Sequence, residues 1–118
     1  MTLDLKTAHK QFVEHLESRR RAHATIVAYS KDIEQLVAFL TNVGKKDIAT
    51  VSREELEAFL KKLASDSYTP KSISRKINSM KTFYRFLKTT GITAIDPASD
   101  IEHPKYDIKP PRILSKLE

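Results

Sequence analysis

Cysteine is absent from the 118-residue chain, and glycine occurs only twice. Without cysteine there is no disulfide scaffold and no thiolate zinc site, and the composition fits a reducing compartment. With Gly44 and Gly91 alone, Gly-rich phosphate loops and hairpin-rich β architectures are excluded. No apolar run approaches the roughly 18 residues of a membrane span. The opening Met1-Thr2-Leu3-Asp4-Leu5-Lys6 has no signal-peptide core. A cytoplasmic protein with no membrane partner is expected. Hydrophobic residues make up 40% of the chain, enough for one modest core at this length.

Acid is missing too, but only locally. The chain has 21 basic and 15 acidic side chains, a net charge of +6. Residues 67–95 contain Lys71, Arg75, Lys76, Lys81, Arg85 and Lys88 and no Asp or Glu. The rest of the chain is close to neutral, so the surplus sits in that stretch. Such an asymmetry suggests a polyanionic partner; the plainer reading is a solvated basic helix.

Hydrophobic spacing predicts four helices. The first covers residues 7–18, with Ala8, Phe12, Val13 and Leu16 on one face. Arg19-Arg20-Arg21 follows, as a solvated connector or a phosphate contact. The second covers 23–43, with Ile26, Tyr29, Ile33, Leu36, Val37 and Leu40 inward and Gly44 as its terminator. Ser52-Arg53-Glu54-Glu55 is a capping box that opens the third, which runs to about residue 66 with Leu56, Phe59, Leu60 and Leu63 inward. Thr69-Pro70 opens the fourth, as N-cap and first helical residue, and Gly91 closes it. After Gly91 the pattern fades, and Asp96-Pro97, Pro104 and Pro110-Pro111 break it up. Residues 1–95 are therefore expected to form the core domain, and 96–118 an extended linker.

On a wheel of about 100° per residue, the apolar side chains of the fourth helix (Ile73, Ile77, Met80, Phe83, Tyr84 and Leu87) gather within one arc. Opposite them lie Lys71, Ser74, Arg75, Asn78, Lys81, Thr82, Arg85 and Lys88. Lys76 falls among the apolar residues and is expected to snorkel past the core edge. Lys and Arg offer charge and donors to phosphates. Arg and Asn offer forked groups that match guanine and adenine edges. Short Ser and Thr side chains let the backbone approach. A structural face usually mixes in acids as i, i+4 partners. The third helix does so, setting Glu54, Glu55 and Glu57 among Arg53, Lys61 and Lys62.

Catalysis finds no support in these residues. His9, His15, His23 and His103 lack metal-ligand spacing, and no serine sits in a nucleophile motif. No catalytic residue, metal or cofactor is expected. Besides duplex DNA, two partners remain open: an acidic protein docking on the basic face, and RNA. The second is disfavoured because the basic arc has no aromatic side chain to stack on bases.

The segment from Ser72 to Leu87, Ser-Ile-Ser-Arg-Lys-Ile-Asn-Ser-Met-Lys-Thr-Phe-Tyr-Arg-Phe-Leu, resembles the last core helix of the N-terminal, core-binding domain of tyrosine recombinases, the phage integrase and Xer-type family. Thr25-Ile26-Val27-Ala28-Tyr29 with Asp32-Ile33 is similar to that family's opening of helix two. Gly91 followed by Asp96-Pro97 resembles its Gly…Asn-Pro. Pro104-Lys105 and Pro111-Arg112-Ile113-Leu114-Ser115 resemble its linker to a catalytic domain. Ala22 departs from the family's usual Ser cap. No His is followed by Arg three residues on, so the family's catalytic signature is absent from this chain.

The resemblance implies an all-α, four-helix SAM-like orthogonal bundle with an extended C-terminal linker. It implies a domain that grips the major groove of a recombination half-site and contacts neighbouring recombinase protomers in a DNA-bound tetramer. Carried over by position, the DNA-binding residues are Thr25, Lys31, Lys71, Ser72, Ser74, Arg75, Asn78, Lys81, Thr82 and Arg85. From side-chain chemistry, the lysines suit phosphates, and Arg75 and Asn78 suit base edges. The chain is then expected to be an isolated domain, without the family's catalytic part.

Overall fold

The computed structural model describes residues 3–102. In it the chain forms α1 (Leu5–Ser18), α2 (His23–Asn42), a short 3-10 turn (Ile48–Thr50), α3 (Arg53–Ser65) and α4 (Pro70–Thr89). No strand occurs among the described residues, and the fold is the expected all-α bundle of four helices.

Local chemistry sets the helix starts. The Asp4 carboxylate accepts the Thr7 N–H at 2.7 Å, so α1 begins two residues earlier than its spacing predicts. Hydrogen bonding from the Thr7 side chain, and then from its backbone N–H, holds the Asp4 carboxyl below its ordinary value. Glu55 takes the Ser52 N–H at 2.7 Å, as a capping box requires, and the Ser52 hydroxyl proton at 2.8 Å. Thr69 Oγ1 accepts the Ser72 N–H at 3.1 Å, and Pro70 occupies the first helical position. Ala22, at the start of α2, makes no side-chain cap bond.

All four helices end in one way. The first residue past the cap is left-handed, and paired backbone bonds run back into the last turn. Glycine fills that position after α2 (Gly44, φ 92°) and α4 (Gly91, φ 81°). After α1 and α3 it is Arg20 (φ 55°) and Ser67 (φ 72°). The sequence marked the two glycines and gave no sign of the other two.

α2 and α4 each pack against the other three helices. Ile73, Ile77, Met80, Phe83, Tyr84 and Leu87 are all buried, as their spacing predicts. Phe12 of α1 meets Phe83 edge-on, with ring centres 5.2 Å apart. Leu36 and Leu40 of α2 and Leu56 and Leu63 of α3 close the core. A two-bond bridge ties the N-terminus to the loop after α2: Leu5 N–H to Lys46 O, and Ile48 N–H to Leu3 O.

The core continues past the boundary expected at residue 95. Ala98 and Ile101 are fully buried, and Asp96 shapes the turn between by accepting the Ala98 N–H at 3.0 Å. Residues 96–102 are therefore packed turns, not extended linker. Two apolar side chains three apart are too few to register as a period. The remainder of the expected linker, 103–118, lies outside the described residues, as does His103.

Gly91→Ala isolates the cost of the left-handed closure, because nothing lies within 4 Å of the added Cβ. The variant should lose about 1 kcal/mol from backbone strain alone, read as a lower urea midpoint at an unchanged slope.

Candidate nucleic-acid interface

The outer arc of α4 starts from a buried acid on another helix. Asp32 of α2 is 2% exposed. Its Oδ1 accepts from Arg75 Nη2 at 2.8 Å and Lys76 Nζ at 3.0 Å, and its Oδ2 from Ser79 Oγ at 2.7 Å. All three donors belong to α4. A buried carboxylate needs such partners, since leaving it unpaired costs several kcal/mol. Helical geometry puts 75, 76 and 79 on the side of α4 that faces α2.

This network corrects the reading of Lys76. It does not snorkel outward: it is 8% exposed, bound to Asp32, and its Nζ lies 5.3 Å from the centre of the Tyr68 ring. The Tyr68 hydroxyl in turn accepts from Gln35 Nε2 at 3.0 Å. A wheel of one helix cannot show an acid that arrives from another. Arg75 is different. Its side chain is 54% exposed, so one nitrogen holds Asp32 while the rest of the guanidinium faces outward.

The remaining expected contact residues of α4 share one outer arc, except Ser72, which falls between Lys76 and Ser79 on the side toward α2. Lys71, Asn78 and Arg85 are exposed, and Ser72, Ser74, Lys81 and Thr82 are half-buried. Thr82 donates its hydroxyl proton to the Asn78 carbonyl at 2.9 Å, which leaves its oxygen lone pairs outward. Lys71, Lys81, Arg85 and Lys88 form no ion pair among the described residues. On α3, by contrast, Arg53 pairs with Glu57 and Lys62 with Asp66. From Lys71 to Lys88 the arc is about 25 Å long, at 1.5 Å per residue.

The two α2 candidates divide. Thr25 lies seven residues before Asp32, two turns along the same side of α2, and is half-buried. Lys31 is exposed further round α2, where it borders a groove with Val13 and Glu17 of α1. The structure does not bring it onto the α4 arc.

The missed residues are Asp32, Ser79 and His15. Asp32 could have been suspected as the one charged residue on the buried side of helix two. His15 stacks on Phe86 at the C-terminal end of the arc, with ring centres 4.6 Å apart. Its pKa is lowered, first by burial and then by the neighbouring Arg19 and Arg21 cations. Among the described residues, no group of three or more His, Cys, Asp or Glu side chains is placed to hold a metal. No helix there is long and apolar enough to cross a membrane.

The profile of the phage integrase N-terminal SAM-like domain matches residues 9–91. Among curated relatives, the tyrosine recombinase XerC of Chlorobaculum tepidum is 37% identical over 92% of this chain and 34% of its own length. A tyrosine recombinase of Thermosipho africanus is 36% identical over 85% of this chain and 36% of its own. The chain thus spans about a third of the length of these relatives. Among solved structures, the N-terminal domain of a phage integrase/site-specific recombinase from Haloarcula marismortui superposes with a TM-score of 0.81. It is 12% identical and covered over 99% of its length by 88% of this chain. A lambda integrase dimer bound to a COC′ core site superposes at 0.78, with 14% identity over 91% of this chain and 29% of that one. At such identities the structural likeness is one of fold.

Two outcomes test this geometry. Asp32→Ala leaves Lys76 buried without its counter-charge and should cost about 3 kcal/mol in urea unfolding. Lys76→Met leaves Asp32 with Arg75 and Ser79 and should cost about 1 kcal/mol or less; equal losses would refute the network. For His15, the folded-state pKa lies below the unfolded value of 6.5. The unfolded chain therefore takes up the proton first, and stability falls as pH drops below about 6.5. His15→Gln should flatten that part of a melting-temperature profile against pH.

Proposed function

The chain belongs to the phage integrase N-terminal SAM-like domain family, and on that footing we propose that it is the DNA-gripping domain of a site-specific tyrosine recombinase. The observation that supports this most is the outer arc of α4. Its four outward cations, Lys71, Lys81, Arg85 and Lys88, have no acidic partner among the described residues, and its one neighbouring acid, Asp32, is buried and neutralised. Cations left unpaired on one side of a helix repel one another and add nothing to stability. They are explained by a partner that brings the negative charge.

In this reading α4 lies in the major groove of a recombination half-site, with the N-terminal half of α2 at its edge. A single helix is the right width for that groove. Lys71, Lys81 and Arg85 meet phosphates. Ser72, Ser74, Thr82 and Thr25 allow close approach and accept or donate at the backbone. Asn78, exposed at the centre of the arc, is the best placed to read a base edge, and Arg75 reads with the part of its fork that Asp32 leaves outward. Lys31 adds charge from outside the arc.

The role assigned to this chain is grip rather than cleavage. In the whole protein, strand cutting through a tyrosine–phosphate link and exchange between duplexes fall to residues other than these. Neighbouring protomers in a DNA-bound tetramer, in the cytoplasm, are its protein partners. By itself the domain binds weakly, because a clamp with one arm lacks the effective concentration that a second linked module supplies.

Titration of a labelled half-site duplex at several salt concentrations tests this. The logarithm of affinity should fall linearly with the logarithm of salt. Lys81→Ala should lower that slope by about 0.9 and weaken all sequences alike. Asn78→Ala should cost about 1–3 kcal/mol on the cognate site and little on an unrelated one. Salt-insensitive binding, or none, would favour a basic face that docks an acidic protein.

A further inference from the structure

At the C-terminal end of α4 the arc runs into a groove whose α1 side the reading above does not use. The groove has a volume of about 270 Å³ and lies between the last turns of α1 and α4. Arg19 and Arg21 line one side; Thr82, Arg85 and Thr89 line the other; the His15–Phe86 stack borders both. No carboxylate lines it, and Arg19, Arg21 and Arg85 make no ion pair among the described residues. We propose that this groove holds a backbone phosphate of the bound duplex, with Arg19, Arg21 and Arg85 as its guanidinium donors. The inference rests on the DNA-binding reading and adds to it a third helix, α1, and a defined phosphate seat.

Three observations support it. The first is charge. Both helices end here, and their carbonyl ends contribute together about one negative charge. Three guanidinium groups exceed what is needed to balance those ends, and the surplus is positive. Their convergence is also felt by His15, whose proton affinity both Arg19 and Arg21 reduce, after burial.

The second is backbone geometry. The tight closure of α1 sends Arg21 N–H back to Leu16 O and Arg20 N–H to Glu17 O. It requires a left-handed residue at Arg20, a position that glycine fills after α2 and α4. A non-glycine side chain is strained there. The closure places Arg19 and Arg21 on the groove, and Arg20 is not among its lining residues.

The third is span. Lys71 and Arg85 are separated by about 21 Å along α4, more than the roughly 12 Å width of the major groove. A helix crossing that groove therefore has its two ends at opposite phosphate walls. Lys71 meets one wall. Arg85 meets the other, and Arg19 and Arg21 stand beside it there.

The test is the salt dependence of duplex binding by the full 118-residue chain, with a labelled duplex of arbitrary sequence. Arg19→Gln/Arg21→Gln should weaken binding several-fold and lower the log–log salt slope by about 0.9, one phosphate's worth. Arg20→Gln/Lys61→Gln removes the same charge from outside the groove and should leave the slope unchanged. Circular dichroism melts establish that both variants are folded under the binding conditions. Equal effects of the two double variants would overturn the inference, since general electrostatics would then explain both. A wild-type slope in Arg19→Gln/Arg21→Gln would overturn it while leaving the α4 reading intact. Absence of salt-dependent binding by the unaltered chain would overturn both.

Discussion

A single buried carboxylate does most to decide what this domain presents to its surroundings. Asp32 is 1% exposed at its side chain and takes hydrogen bonds from three α4 residues. Burying that charge alone would be prohibitive, so α2 can dock on α4 only where Arg75, Lys76 and Ser79 come together. The register of the two helices follows from that demand. So does the direction of the rest of α4. With 75, 76 and 79 turned toward α2, the positions at 71, 74, 78, 81, 82, 85 and 88 are turned out. The same acid is hidden from solvent and neutralised, so it does not oppose a phosphate brought to the surface a few ångströms away.

Helix periodicity was largely legible along the chain, because each apolar stripe is long enough to repeat, although Val13, Ile26, Tyr29 and Leu60, expected inward, are only half-buried. The six inward residues of α4 are all buried. Signals that depend on one residue and its neighbours also held, among them the Thr69-Pro70 start and the two glycine closures. Contacts that bring distant parts of the chain together were out of reach. The partners of Asp32 are 43, 44 and 47 positions away, and no spacing within either helix announces them. Lys76 was misplaced for that reason: its position on the wheel was right, and its fate depended on a residue of α2. The left-handed Arg20 and Ser67 were invisible because the usual mark of that conformation is glycine. Ala98 and Ile101 were missed because a packed turn has no period.

The candidate site was legible in composition and only partly in geometry. The acid-free stretch already marked α4, and the structure keeps Lys71, Asn78, Lys81 and Arg85 on one side of it. The edges of the arc needed coordinates. On its N-terminal half α4 is bordered by α2 through Asp32, and on its C-terminal half by α1, whose Phe12 and His15 meet Phe86 of α4. Arg19 and Arg21, distant in sequence from the basic stretch, join its end only in the folded chain.

Stability and binding pull against each other along α4. Lys71 and Arg75 are one helical turn apart, as are Lys81 and Arg85, and like charges at that spacing cost a few tenths of a kcal/mol each. α3 shows what a surface arranged for stability looks like, with its Arg53–Glu57 and Lys62–Asp66 pairs. Asp32 relieves part of this strain by drawing Arg75 and Lys76 to itself, and the relief comes from inside the bundle. An acid placed on the outer arc would relieve more and would close the surface to a polyanion. The arrangement offsets repulsion where a duplex cannot reach and leaves it where a duplex would remove it. On the proposed reading, binding strength and salt sensitivity share one origin in the same unpaired cations.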